Sequence, residues 1–160
     1  KVCIVGISYG GYAALMGAIK TPELYRCSVS INGVTHLRNM IASDAKNIDD
    51  DKVLEKYWYQ RVGDPKLDRE MLDANSPALH ADKINTPLLL VASTEDQVVD
   101  YSQTTDLVSA LNKSKKDFKF VKLKDSPHNP FYYKKDLELV YRKVDDFLAK
   151  YLSGATVAAQ

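Results

Sequence analysis

Serine, acidic and histidine side chains follow three separate apolar runs of this chain. Ser8 lies within the G-I-S-Y-G motif of residues 6–10, Glu95 and Asp96 follow a second run, and His128 follows a third. A serine hydroxyl becomes an effective nucleophile when a histidine accepts its proton and a carboxylate orients that histidine. The chain order serine, acid, histidine is the order expected for G-x-S-x-G hydrolases. The pattern therefore predicts acyl transfer to Ser8 followed by hydrolysis.

The G-I-S-Y-G motif has the form of a nucleophile elbow. In such an elbow the serine occupies a strained turn between a strand and a helix, and the glycines allow close approach of neighbouring backbone. A third glycine, Gly11, and an apolar helical run after it make the motif more specific than its five residues alone. The backbone N–H of Tyr9 and the helix N-terminus would face the negative charge that develops on the substrate oxygen. Tyr9 is therefore the candidate oxyanion-hole residue.

His128 is the candidate base because it is the one histidine of three that follows a strand-end acid. It lies in the P-H-N-P segment of residues 127–130, just before the last predicted helix. His36 and His80 are predicted to be structural or surface residues.

The identity of the acid stays open when the residues are considered alone. Glu95 and Asp96 both follow the strand predicted at residues 88–92, and their spacing does not distinguish them. Asp100 and Asp125 are weaker candidates, since such residues more often cap helices or remain solvated. The His, Cys and carboxylate residues show no recognisable ligand spacing, so neither a metal nor a cofactor is predicted.

The elements that must position these side chains alternate between strands and helices. Strands are predicted at residues 1–6, 27–31, 88–92 and 118–123, and helices at residues 10–19, 101–111 and 131–152. Residues from about 35 to 83 are polar and are predicted to form a mostly helical insertion, whereas residues 153–160 are predicted to be a flexible tail. The alternation predicts an α/β fold with a mostly parallel sheet flanked by helices, whose functional loops lie at the carboxyl ends of the strands.

The composition is that of one soluble globular domain. The 160 residues are 45% hydrophobic and 27% charged, with a net charge of +1. This balance gives no reason to expect nucleic acid or a membrane as a partner, and no apolar run approaches the roughly 20 residues of a membrane-spanning helix. Cys3 and Cys27 are predicted to be small core residues rather than a disulfide. The compartment, cytoplasmic or periplasmic, stays open.

Two segments resemble the prolyl oligopeptidase family, serine peptidases with an α/β-hydrolase fold. They are G-I-S-Y-G-G-Y at residues 6–12 and S-P-A-L-H-A-D-K-I-N-T-P-L-L-L-V-A-S-T-E-D-Q-V-V-D-Y-S-Q at residues 76–103. The closing helix is also similar, so the resemblance covers nearly the whole chain, and it looks closest to acylaminoacyl-peptidase-like or dipeptidyl-peptidase-like members. It implies that Ser8 is the nucleophile, Asp96 the acid and His128 the base.

This sequence departs from the usual pattern of that family near the acid, where Asp100 also replaces the usual Pro. Family members usually carry His-Gly just before the acid loop, where this chain has Ala-Ser at residues 92–93. Many of them place Asn or Arg two positions after the acid to hold the substrate backbone, where this chain has Val98. The resemblance also places Tyr57, Trp58 and Tyr59 where the family builds a hydrophobic substrate pocket. Packing of the insertion against the sheet is an equally good explanation of these three aromatics.

The family's sheet has more strands than the four predicted here, so residues 1–152 are interpreted as the C-terminal part of a catalytic domain. The family takes its second oxyanion donor from a loop upstream of the elbow strand. The expected reaction is cleavage of peptides or acylated peptides. A carboxylesterase of the same fold is one alternative, and a catalytically incompetent fragment is another. In the second case the open edge of the strand at residues 1–5 would self-associate or pair with the missing N-terminal half.

Overall fold

The computed structural model describes residues 2–44 and 51–153. The strands are β1 (Val2–Ile7), β2 (Tyr25–Ile31), β3 (Leu88–Ser93) and β4 (Phe118–Leu123). The helices are α1 (Tyr9–Lys20), α2 (Leu37–Asp44), α3 (Asp51–Arg61), α4 (Arg69–Ala74), α5 (Tyr101–Lys113) and α6 (Lys134–Leu152). Short 3₁₀ helices cover Pro22–Leu24, Pro77–Lys83 and Pro130–Tyr132. All four predicted strands are present, and the last predicted helix begins three residues late because Pro130 opens a 3₁₀ turn ahead of it.

The four strands form one parallel sheet in the order β1-β2-β3-β4. Ile7 of β1 lies opposite Ile31 of β2, and Ile31 lies opposite Val91 of β3. Val91 in turn lies opposite Val121 of β4. Because every strand runs in the same direction, the loops that follow them meet along one edge of the sheet. The predicted mostly parallel α/β sheet is confirmed.

The core lies on both faces of β3, whose six residues are all buried. Successive side chains of a strand point to opposite faces. Leu88 and Leu90 accordingly pack against α1 and α5, while Leu89 and Val91 pack against α6. Each fully buried leucine or valine contributes about 1.5–3 kcal/mol by leaving water. This packing explains the nearly continuous apolar run of β3.

β1 lies at the edge of the sheet and is less buried than its apolar sequence predicts. Val2 is 55% exposed and Val5 is 45% exposed. A continuous apolar run of this kind is typical of a strand covered on both faces. In this structure β1 pairs with β2 alone. Lys1, the first residue of the predicted strand, lies outside the described residues.

Cys3 and Cys27 form a disulfide that joins β1 to β2. The prediction of two unpaired core cysteines is therefore wrong. The two residues lie opposite each other in the strand register, with their Cα atoms 4.6 Å apart. A separation of 24 residues along the chain gives no sign of this contact, because the register of two parallel strands depends on the crossover between them.

The predicted helical insertion contains α2, α3 and α4 among its described residues. Their apolar side chains form a separate cluster with Val34, which follows β2, and with Val99, which precedes α5. Its buried members are Val34, Leu37, Met40, Ile41, Leu72 and Val99. Residues 45–50 of the insertion and residues 154–160 of the predicted tail lie outside the described residues. Across residues 2–44 and 51–153, no helix is both long and apolar enough to span a bilayer.

Candidate active site

Ser8 occupies a tight turn between β1 and α1. Its φ of 58° and ψ of −124° lie in a region that residues with side chains rarely adopt. The Ser8 N–H donates to the carbonyl of Ile31 at 2.9 Å, and the Ser8 carbonyl accepts from the Tyr12 N–H at 3.1 Å. A Cβ atom on Gly6 would lie only 2.0 Å from the carbonyl oxygen of Gly10, so the turn requires glycine there. Ser8 is thus held in a strained elbow at the carboxyl end of β1.

Tyr9 is the first residue of α1, directly after the elbow. The N–H groups of a helix's first turn have no partner within the helix, and they carry the positive end of its dipole. The Tyr9 side chain is exposed, and its ring packs against Tyr12 with 5.1 Å between the centroids. The backbone N–H of Tyr9 is therefore free of helical bonding at the position expected for an oxyanion donor.

Asp96 and His128 are joined by a short hydrogen bond. The Nδ1 atom of His128 lies 2.7 Å from Oδ2 of Asp96. The other oxygen, Oδ1, accepts from the backbone N–H groups of Val98 at 2.9 Å and Val99 at 2.8 Å. The Asp96 side chain is 1% exposed and that of His128 is 21% exposed. An ionised carboxylate can only accept, so this contact is satisfied when a neutral imidazole carries its hydrogen on Nδ1 and Nε2 is the acceptor.

The other candidate acids have different partners in the described part of the chain. Glu95 is exposed, and its backbone N–H donates to the carbonyl of Ser126 at 3.0 Å. Asp100 caps α5 by accepting from the Ser102 N–H at 2.7 Å, and the hydrogen bonds from Ser102 lower the pKa of Asp100. Asp125 is exposed, 4.0 Å from the ammonium group of Lys124. Of the four acids, Asp96 alone contacts His128 within residues 2–44 and 51–153.

The two remaining histidines lie in the insertion. His36 is buried, and its Nδ1 accepts a long hydrogen bond from the Asn39 N–H at 3.4 Å. Burial first, and then the charge of Arg38, lowers the pKa of His36. The Nε2 atom of His80 lies 3.1 Å from the carbonyl oxygen of Asp73.

The loop that carries His128 folds back across the sheet edge towards β2. The backbone carbonyl of His128 accepts from Nδ2 of Asn32, the residue after β2, at 2.7 Å. Ile31, next to Asn32, holds the backbone N–H of Ser8. The loops that carry Ser8 and His128 thus meet at the end of β2. Among the described residues, Ser8 Oγ forms no hydrogen bond with His128. Asn32 is not among the site residues predicted from the sequence, because an Asn-Gly pair directly after a strand is typical of a turn.

Tyr57, Trp58 and Tyr59 lie on α3, and two of them pack into the insertion. Trp58 and Tyr59 contact the buried cluster of α2 and α4. Tyr57 is exposed, with its ring edge-on to Trp58 at 5.2 Å and the Arg61 guanidinium 4.1 Å from its centroid. In the described part of the chain, the three aromatics line neither the pocket that contains Asp96 nor the pocket that contains His128.

In the part of the chain that the structure describes, one pocket is lined by Asp96 and another by His128. The first, about 430 Å³, is polar and is lined by Ser43, Asp96, Gln97, Val98 and Asp100. The second, about 380 Å³, is more apolar and is lined by Glu95, Gln97, Val98, Pro127, His128, Asn129 and Tyr132.

Within residues 2–44 and 51–153, no three His, Cys, Asp or Glu side chains are grouped so that they could hold a metal ion.

The sequence profile of the prolyl oligopeptidase family matches residues 1–155. The chain belongs to this family. It is 29% identical over 163 residues to dipeptidyl aminopeptidase BIII of Pseudoxanthomonas mexicana, covering 96% of this chain and 22% of that protein. It is 25% identical to dipeptidyl peptidase family member 6 of Caenorhabditis elegans, covering 98% of this chain and 21% of that protein. The chain therefore spans about a fifth of the length of these relatives.

Solved structures of peptidases share this fold. The acylaminoacyl peptidase of Pyrococcus horikoshii superposes with a TM-score of 0.82 at 22% identity, covering 100% of this chain and 25% of that chain. Dipeptidyl peptidase 4 of Porphyromonas gingivalis superposes with a TM-score of 0.75 at 21% identity, covering 93% and 19%. The parallel sheet and its flanking helices form the C-terminal part of an α/β-hydrolase fold, as the sequence resemblance implies.

Proposed function

We propose that the protein is a serine peptidase in which Ser8, Asp96 and His128 form the catalytic triad. The observation that carries the proposal is the hydrogen bond between Asp96 and His128, which favours these two residues over the other candidate acids and histidines. The strained elbow at Ser8 supplies the third member at the same edge of the sheet. Membership of the prolyl oligopeptidase family supports the reaction class.

The reaction follows from the roles of these groups. His128 accepts the Ser8 proton at Nε2 as the hydroxyl oxygen attacks the substrate carbonyl, and the Tyr9 N–H donates to the oxyanion. The C–N bond then breaks, and the same proton leaves with the amine. Water, deprotonated by His128, next attacks the acyl carbon. The ester bond to Ser8 Oγ then breaks, the carboxylic acid leaves, and the proton on His128 returns to Ser8 Oγ. Asp96 keeps the imidazole in the required tautomer throughout.

The substrates that we propose are peptides and acylated peptides. The names of the relatives, a dipeptidyl aminopeptidase and an acylaminoacyl peptidase, support this class. Val98 lies exposed in the pocket beside His128 and presents no polar side chain to a substrate. Many members of the family carry an Asn or Arg here to hold the substrate backbone, so Val98 counts against dipeptidyl-type recognition.

A fluorophosphonate probe tests the proposal in the protein at its full natural length. The probe should label wild type and not Ser8→Ala. Ser109→Ala is the matched control, because that hydroxyl lies exposed on α5 and bonds to the Thr105 carbonyl. Equal labelling of Ser8→Ala and wild type would refute the assignment. Turnover of an acylated amino-acid anilide against a short-chain ester then decides between a peptidase and the alternative, a carboxylesterase.

A further inference from the structure

Asn32, the residue directly after β2, joins the end of β3 to the loop that follows β4. Its backbone N–H donates to the carbonyl of Val91 at 2.9 Å. Its Oδ1 accepts from the Ser93 N–H at 2.8 Å, and its Nδ2 donates to Ser93 Oγ at 3.0 Å. The same Nδ2 donates to the His128 carbonyl at 2.7 Å. Asn32 is only 2% exposed, so water does not substitute for these partners.

The orientation of the Asn32 amide is fixed by its partners. The Ser93 N–H can only donate and the His128 carbonyl can only accept. A flipped amide would oppose a donor to a donor and an acceptor to an acceptor, leaving both buried groups unsatisfied. The φ of 47° at Asn32 lies in the left-handed region, which asparagine tolerates better than other residues with side chains. Asparagine satisfies both the hydrogen bonds and the backbone conformation at this position.

Adjacent residues at the end of β2 thus hold the backbones of both Ser8 and His128. The Ile31 carbonyl accepts from the Ser8 N–H at 2.9 Å, and the Asn32 side chain holds the His128 carbonyl. The hydrogen bond between Asp96 and His128 involves the histidine ring, so it leaves the position of the His128 backbone to other groups. Building on the triad proposed above, we infer that Asn32 is a positioning residue that sets the distance between the His128 imidazole and Ser8 Oγ.

The test variant is Asn32→Gly in the protein at its full natural length. Glycine accepts the left-handed backbone at no steric cost, so the change removes the side chain without straining the turn. Ser93→Ala is the matched control, because it removes the Asn32 bond to Ser93 Oγ and leaves the bond to His128 in place. Ser93→Ala accounts for the hydroxyl bond alone. Asn32→Asp keeps an acceptor for the Ser93 N–H and loses the donor to His128, so the three variants together isolate the contact between Asn32 and His128.

The measurement is the pre-steady-state burst of p-nitrophenol from a p-nitrophenyl acyl ester. Its amplitude counts competent sites, while its two phases give the rate constants of acylation and deacylation. His128 acts as a base in both steps, so Asn32→Gly should lower both rate constants by about 10- to 100-fold, the range expected for a misplacement of about 1 Å. The burst amplitude should stay at the wild-type value. Ser93→Ala should keep both rate constants close to wild type.

Two results would overturn the inference while leaving the proposed triad intact. One is equal rate constants in Asn32→Gly and Ser93→Ala. The other is a reduced burst amplitude with unchanged rate constants, which would show a purely structural role. Absence of fluorophosphonate labelling in wild type would instead refute the proposed function, and the inference with it. If Asn32→Gly does not fold, Asn32→Asp serves, because it keeps the acceptor for the Ser93 N–H and loses the donor to His128.

Discussion

Replacement of Asp96 by asparagine isolates the role that we assign to its carboxylate, because the amide has nearly the same shape. The oxygen that accepts from the Val98 and Val99 N–H groups can keep both bonds as an amide oxygen. The amide nitrogen would then stand 2.7 Å from Nδ1 of His128 and would donate to it. The imidazole would carry its hydrogen on Nε2, the atom that must accept the Ser8 proton.

The expected loss in kcat for Asp96→Asn is about 10⁴-fold, the effect of the same tautomer reversal in other serine triads. This factor corresponds to roughly 5.5 kcal/mol of transition-state stabilisation, at about 1.36 kcal/mol for each factor of ten. Because the side chain at position 96 is only 1% exposed, water cannot replace the carboxylate oxygen as the acceptor for an Nδ1–H of His128. The free energy of unfolding should change by only about 1 kcal/mol, the contribution of one hydrogen bond. We therefore expect Asp96→Asn to lose most of its activity while its stability stays close to that of wild type.

The assay is kcat/KM for an acylated amino-acid anilide, measured on the protein at its full natural length. Asp100→Asn is the matched control, since Asp100 caps α5 and has no contact with His128. Asparagine caps helices about as well as aspartate, so this control should stay near wild-type activity and stability. The reasoning is refuted if Asp96→Asn stays within about tenfold of wild type. It is equally refuted if both variants lose the same factor.

Three further predictions concern the elbow, an ion pair and the sheet edge. Gly6→Ala should lower the free energy of unfolding by about 1–3 kcal/mol in denaturant titration, whereas Gly10→Ala, whose added Cβ has open space, should not. Arg38 lowers the pKa of Asp73, mainly through their hydrogen bond and also through its charge. The loss of unfolding free energy in Arg38→Ala should therefore be largest above the ordinary carboxylate pKa, and it should vanish as pH falls through the lowered pKa of Asp73. A loss that does not depend on pH would contradict this. The 160-residue chain alone should form oligomers through the open edge of β1, detected by sedimentation velocity. Val5→Lys should lower the fraction of oligomer. A single monomeric species at all concentrations would exclude this association.

The strands and the order of the site residues could be predicted from the sequence because both depend on local patterns. The strand at residues 118–123 is present with those bounds, and the buried run of β3 extends by one residue, Ser93. The choice between Glu95 and Asp96 could not be made from spacing. It depends on the turn in which the Val98 and Val99 N–H groups point at one carboxylate.

The contacts that sequence reasoning missed all link residues far apart in the chain. The disulfide between Cys3 and Cys27 depends on the register of two parallel strands. The contact between Asn32 and His128 joins residues 96 positions apart and depends on how the final loop folds back over the sheet. Neither the register nor the path of that loop leaves a periodic signal in the residues themselves. Local patterns thus predict which elements form, and tertiary packing decides which side chains meet.

The three members of the proposed triad differ in how firmly the described residues hold them. Asp96 follows β3, the most buried strand, and three hydrogen bonds fix its carboxylate. Ser8 follows β1, an edge strand whose exposed valines lack cover within the described chain. The disulfide and the Ile31 carbonyl tie β1 to β2 on one side only. A further strand along the open edge of β1 would therefore order the elbow at Ser8 more than it would order the Asp96–His128 pair.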